Sequence, residues 1–91
     1  NWAEQRAKCI ERDGRKCQIC NTPQTDIGKE PSVHHIRPRR EFNEEEYQKM
    51  NSLQNLICVC PSCHPKVEGK WKDMTPDEFA KQAQSQINAS E

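Results

Sequence analysis

Along residues 2–12 the apolar positions Trp2, Ala3, Ala7 and Ile10 fall on or near one face at helical spacing, which predicts an amphipathic helix. Asp13-Gly14 ends it, since glycine readily takes the left-handed conformation that closes a helix. Cys17-Gln18-Ile19-Cys20 follows, Asn21-Thr22-Pro23 reads as a turn, and residues 21–31 read as a polar loop. Residues 32–36 are β-branched and strand-like, and Pro38 stops them. Residues 41–50 are polar and lean to a short helix. Leu53, Leu56, Ile57 and Val59 predict a second strand over residues 53–59. Pro61 suits the opening of a helix over residues 62–68, because its missing N–H has no partner there anyway, and Gly69 closes it. A last helix opens at Thr75-Pro76-Asp77-Glu78, a capping-box pattern, and runs through Phe79, Ala80, Ala83 and Ile87.

Ninety-one residues make one small domain, with 32% apolar and 31% charged positions and five aromatic rings in all. Such a chain buries too little surface to be secure by hydrophobicity alone, so it needs a staple. Six cysteines are the candidates. No apolar run is long enough to span a bilayer, and no basic-then-apolar signal segment opens the chain. These features predict no membrane partner and a reducing, cytoplasmic location with cysteines serving as metal ligands. The first residue is not methionine, which suggests a processed or excised piece of something longer.

Net charge is zero, but residues 1–40 carry nine basic against five acidic side chains and residues 41–91 carry five against nine. Phosphate attraction follows the local field, and the basic half contains Lys8, Arg12, Arg15, Lys16, Arg37, Arg39 and Arg40, of which Arg15, Lys16, Arg37, Arg39 and Arg40 are the candidate nucleic-acid contacts. A solvated charged surface is the plainer reading of the same run.

Cys17-x-x-Cys20 and Cys60-x-x-Cys63 are two knuckles separated by 39 residues. Each gives two thiolates on a tight turn, and together they supply the tetrahedral set of a structural Zn2+. A redox pair lacks its βαβ setting, and a disulfide framework lacks a secretory context. Cys9 and Cys58 read as small buried hydrophobes. The three histidines, His34, His35 and His64, all lie within or beside this framework. His64 in place of Cys63 on the zinc is an alternative, although four cysteines already satisfy it.

Val33-His34-His35-Ile36-Arg37-Pro38, Asn55-Leu56-Ile57 and Cys60-Pro61-Ser62-Cys63-His64, preceded by the Cys17–Cys20 knuckle, resemble the zinc-containing members of the HNH endonuclease family. The resemblance covers roughly residues 2–70. It implies a small α+β fold, a ββα-metal core stapled by a four-cysteine zinc, with flanking N- and C-terminal helices. Residues 1–70 would be the nuclease domain and 71–91 a helical extension that packs on the core, pairs two chains or links onward. By resemblance His34 and His64 ligate a catalytic divalent cation, His35 is the general base, and Asn55 orients that base or holds the connecting loop. A histidine at position 34, where members often have aspartate, points to Mn2+, Ni2+ or Zn2+ alongside Mg2+. Glu68, one helical turn after His64, is either a further ligand or a solvated residue. The implied activity is DNA phosphodiester hydrolysis by a one-metal mechanism, with specificity from a further domain or a homodimer. The alternative is a non-catalytic zinc module that binds nucleic acid or protein. Adjacent residues of a regular strand point to opposite faces, so His34 and His35 must approach one phosphate from different sides or sit on a locally twisted strand.

Overall fold

The computed structural model describes residues 2–88. Helix α1 (Trp2–Arg12) is followed by a single turn, α2 (Gln24–Ile27), and strand β1 (Ser32–His35). Two 3-10 turns, at Arg39–Glu41 and Glu44–Glu46, lead into α3 (Tyr47–Met50), and a third at Leu53–Asn55 leads into strand β2 (Leu56–Val59). Helix α4 (His64–Val67), helix α5 (Pro76–Ala83) and a π-helical turn over Gln84–Asn88 complete the order. This is a small α+β fold, as the sequence implied. Among the described residues no helix is long and apolar enough to cross a membrane.

Strands β1 and β2 form one antiparallel hairpin, with Val33 opposite Cys58, His34 opposite Ile57 and His35 opposite Leu56. All four residues of β2 are buried, because the strand is covered on both sides. Ile57 and Val59 join Ile19, Ile36, Val67, Phe79 and Ala83 in one core, against which Trp71, Met74 and Ile87 pack. On the other side lies α1, whose buried residues are Cys9 and Ile10. Ala3 and Ala7 are exposed, so the buried stripe of α1 runs through Cys9 and not through Ala7 as expected. A polar clamp accounts for the rotation. Arg12 donates to the carbonyls of Leu53 and Leu56, both at 2.6 Å, and pairs with Asp13, whose Oδ2 accepts from the Cys58 amide at 2.9 Å. Arg12 is therefore a structural residue of the α1–β2 contact, not a free phosphate ligand.

Several expected boundaries shift for local reasons. Residues 21–31 contain α2, closed by Gly28 in the left-handed conformation at φ 84°. The helix expected over 41–50 is broken into a 3-10 turn at Glu44–Glu46, opened by a capping box between Asn43 and Glu46, and the single α-helical turn Tyr47–Met50. The second strand starts at Leu56, since residues 53–55 form a turn. Helix α4 starts only at His64, because the Cys60–Cys63 knuckle occupies the preceding turn: the amides of Cys63 and His64 both donate to the Cys60 carbonyl. It ends at Val67, leaving Glu68 extended and Gly69 left-handed. At α5 the expected box is present, with Thr75 Oγ1 accepting from the Glu78 amide and Glu78 accepting from the Thr75 amide. Phe79 and Ala83 carry α5 into the common core, so the segment from Trp71 onward is packed there. The ends of the two regions expected from the sequence, residue 1 and residues 89–91, lie outside the described residues.

Candidate metal and histidine site

The sulfurs of Cys17, Cys20, Cys60 and Cys63 all lie within 4.8 Å of one another, and Cys20 and Cys60 are 3.7 Å apart. A tetrahedron of Zn–S bonds of about 2.3 Å has edges of about 3.8 Å, so the cage matches the ion. The amides of Ile19 and Cys20 both point at Cys17 Sγ, at 3.4 and 3.5 Å. That arrangement suits a thiolate acceptor. Asn21 turns the chain out of the first knuckle at φ 65°, a conformation asparagine tolerates. All six cysteines are free thiols, which argues against a disulfide framework. Burial pushes the Cys17 thiol up; at Cys20 burial is outweighed by hydrogen bonds from Thr22, Cys17 and Cys60, which bring it to about 6. Zinc ligation needs thiolates, and Cys20 is the one poised to deprotonate first.

Cys9 and Cys58 are fully buried beside Asp13, and burial with that nearby carboxylate raises both thiols to about 12. They are inert packing residues, as read from the sequence.

Next to this staple, β1 delivers the paired histidines in opposite directions, as the strand's pleat requires. His34 points inward. It is 3% exposed, its ring sits 5.1 Å from that of His64 at 76° and 5.4 Å from Phe79, and its Nε2 is buried without a hydrogen-bond partner. Burial, with His64 and His35 nearby, lowers its pKa to about 4, so the imidazole is neutral. A buried, neutral imidazole with an unpartnered nitrogen, its ring packed edge-on against a second histidine from another element, is a donor arrangement that fits a divalent metal.

His35 turns to the other side. Its ring stacks on Trp2 at 5.0 Å, and its Nε2 lies 2.9 Å from Asn51 Oδ1. An amide oxygen only accepts, so Nε2 carries the proton and Nδ1 keeps its lone pair. Burial lowers the His35 pKa, outweighing the Asn51 bond, with Arg39 and His64 adding to the depression. The three histidines nevertheless border one cleft of about 370 Å³, lined also by Trp2, Pro38, Arg39, Arg40 and Glu68.

The Asn55 side chain is hydrogen-bonded to Arg37 and Met50 rather than to His35. Its Oδ1 accepts from the Arg37 amide at 2.8 Å, and its amide donates to the carbonyls of Met50 and Arg37, so it ties the loop to the strand end. Of the two roles the resemblance implied, the geometry supplies the loop-holding one. Asn51, four residues earlier, is the amide that bonds His35. No motif spacing marked Asn51, and Trp2 read as a core position, whereas it is 38% exposed over His35.

The basic residues divide. Arg39 and Arg40 border the histidine cleft, while Arg37 pairs with Glu41 at 3.6 Å and Asp73 at 3.7 Å. Arg15 pairs with Glu11 and lines a different depression, with Gly14, Pro23 and Lys29. Lys16, whose backbone bridges to Pro23, is not among the residues bordering the cleft. Glu68 borders the cleft from past the end of α4, not from a helical turn.

Comparison with known proteins places these features in a family. A family model described as HNH endonuclease matches residues 17–70. Forty-eight residues are 40% identical to a mitochondrial DNA mismatch repair protein mutS homolog of Sarcophyton glaucum, covering 53% of this chain and 4% of that protein. Sixty residues are 35% identical to a protein of Acanthamoeba polyphaga mimivirus whose name makes it a mutS homolog in DNA mismatch repair, covering 58% of this chain and 5% of that protein. The chain thus spans about one twentieth of the length of these curated relatives. Because the family match takes in both knuckles and all three histidines, and extends over more than half of the sequence, the chain belongs to the HNH endonuclease family.

Proposed function

We propose that this domain is a metal-dependent DNA endonuclease in which His35 is the general base. The observation that carries the reading is the buried, unpartnered Nε2 of His34, on a ring packed edge-on against that of His64, with both rings and the neutral His35 bordering one cleft. His34 and His64 would hold a divalent cation, and Glu68 borders the same cleft. Such an ion supplies Lewis-acid stabilisation of charge on the phosphate and the departing oxygen.

The chain's own residues do the rest. His35 takes a proton from water on Nδ1, since Asn51 holds its Nε2–H and its lowered pKa keeps it neutral at pH 7. Trp2 stacks on the imidazole and limits its rotation. Arg39 and Arg40 offer charge-assisted hydrogen bonds to phosphates entering the cleft. Asn55 fixes the turn between α3 and β2, which sets the strand end that presents His35. DNA as the polymer is supported by relatives named for DNA mismatch repair, and their far greater length suits a domain that works beside others.

The test is digestion of supercoiled plasmid across Mg2+, Mn2+, Ni2+ and Zn2+, with the parent beside His35→Ala. Nicking by the parent and a loss of about 100-fold or more in the variant is the expected result. Equal nicking by both proteins would remove His35 from the chemistry.

A further inference from the structure

Among the described residues, the large hydrophobic side chains left exposed are Trp2 and Tyr47, the latter 54% accessible. They are not scattered. Both line one depression of about 470 Å³, together with Gln5, Gln48 and Asn51. Trp2 also lines the histidine cleft, and Asn51 bonds His35, so the two depressions adjoin through the Trp2 ring and the Asn51 amide. Gln5 Nε2 donates to the Asn51 carbonyl at 2.9 Å, bracing that shared wall from α1.

Charge separates the two depressions. Arg39 and Arg40 border the histidine cleft, whereas Trp2, Gln5, Tyr47, Gln48 and Asn51, which line the second depression, are all uncharged. A phosphate is drawn to the first and finds no cationic partner among the residues lining the second. Only the uncharged part of a nucleotide suits the aromatic side. Aromatic faces with amide groups at their edge are what a splayed-out base needs: a π-surface to stack on and donors and acceptors for its polar edge.

We infer that the Trp2–Tyr47 depression receives an unstacked nucleobase from the strand whose phosphate occupies the histidine cleft. The inference rests on the nuclease reading and narrows its substrate to DNA with unpaired bases near the cut. In a regular duplex each base is already stacked, so the site gives single strands an advantage that plain duplex lacks.

The test is fluorescence anisotropy of a labelled mixed-sequence single strand and of its blunt duplex, with zinc-loaded protein and no other divalent ion. The parent should bind the single strand more tightly. Tyr47→Ala should weaken single-strand binding roughly 5- to 100-fold and duplex binding less than about twofold, as loss of one stacking partner implies. Tyr47→Phe, which keeps the ring, should bind as the parent does, and circular dichroism of both variants should match the parent. Equal weakening on both DNAs, no preference for the single strand, or a Phe variant as weak as the Ala variant would overturn the inference. So would a parent that sediments as a dimer which Tyr47→Ala dissolves, because the aromatic face would then join two copies. Tyrosine-dependent single-strand binding by a protein that cuts neither plasmid nor the single strand in any of the ions would overturn the nuclease reading and leave the base site standing.

Discussion

Phe79→Ala tests whether the C-terminal helix is part of what holds the histidines. Phe79 is fully buried, 5.4 Å from the ring of His34 and 5.6 Å from that of Trp71. Truncating a buried phenylalanine removes its transfer free energy and leaves a cavity, at a cost of about 3–5 kcal/mol. A domain of this size has a total of about 5–15 kcal/mol, so the loss is a large fraction of it. With a urea slope of about 2 kcal/mol per molar, the unfolding midpoint of the zinc-loaded protein should fall by roughly 2 M. The same change opens space beside His34 and relieves the burial that depresses its pKa. The imidazole proton signals of His34 should therefore titrate closer to the ordinary value of 6.5. A stability loss under about 1 kcal/mol, with His34 titrating as before, would refute the reasoning, because α5 would then lie outside the cooperative core.

Cys60→Ser should unfold the domain or lower its midpoint sharply, as should a strong chelator, because zinc binding contributes about 10–16 kcal/mol in comparable small domains; circular dichroism with zinc analysis checks both, and a variant that melts like the parent would exclude Cys60 from the cage. His34, with a folded pKa of about 4 against 6.5 unfolded, leaves the unfolded chain holding more protons between those values. Its contribution is thus complete above pH 6.5 and lost as pH falls towards 4, so the parent should lose about 2–3 kcal/mol more than His34→Gln between pH 7 and 4.5. Urea titrations without added divalent ion at the two pH values measure the difference, and identical losses would mean that His34 is not buried neutral. Asn51→Ala should lower kcat by about tenfold with little change in KM, the worth of one hydrogen bond to the base. Asn51→Asp should move the acid limb of the pH–rate profile upward, since a carboxylate stabilises the imidazolium; profiles unmoved in both variants would assign Asn51 a purely structural role.

How far the sequence alone carried depended on the kind of signal. The four-cysteine cage was legible because CxxC spacing encodes its own geometry, and the sulfurs of both knuckles converge within 4.8 Å. The α5 start was legible for the same reason: Thr75 and Glu78 satisfy each other locally. What escaped was set by tertiary packing. The Arg12–Asp13 clamp rotates α1 so that Cys9 faces inward and Trp2 lies over His35, and helical spacing contains no hint of that demand. Asn51 and Asn55 sit one turn apart in polar surroundings, and only the placement of the connecting turn decides which amide meets the imidazole. The conflict over adjacent histidines on one strand was real. It resolves because the rings do point apart, His34 to His64 and His35 to Asn51, while bordering one cleft.

The most direct measurement for the account as a whole is Mn2+ binding to zinc-loaded protein, followed by electron paramagnetic resonance. One manganese site per chain should appear beside an undisturbed zinc, and His34→Ala or His64→Ala should abolish it without releasing the zinc. Manganese that fails to bind, or binding indifferent to both histidines, would contradict the proposal that these two imidazoles gather a cation beside His35.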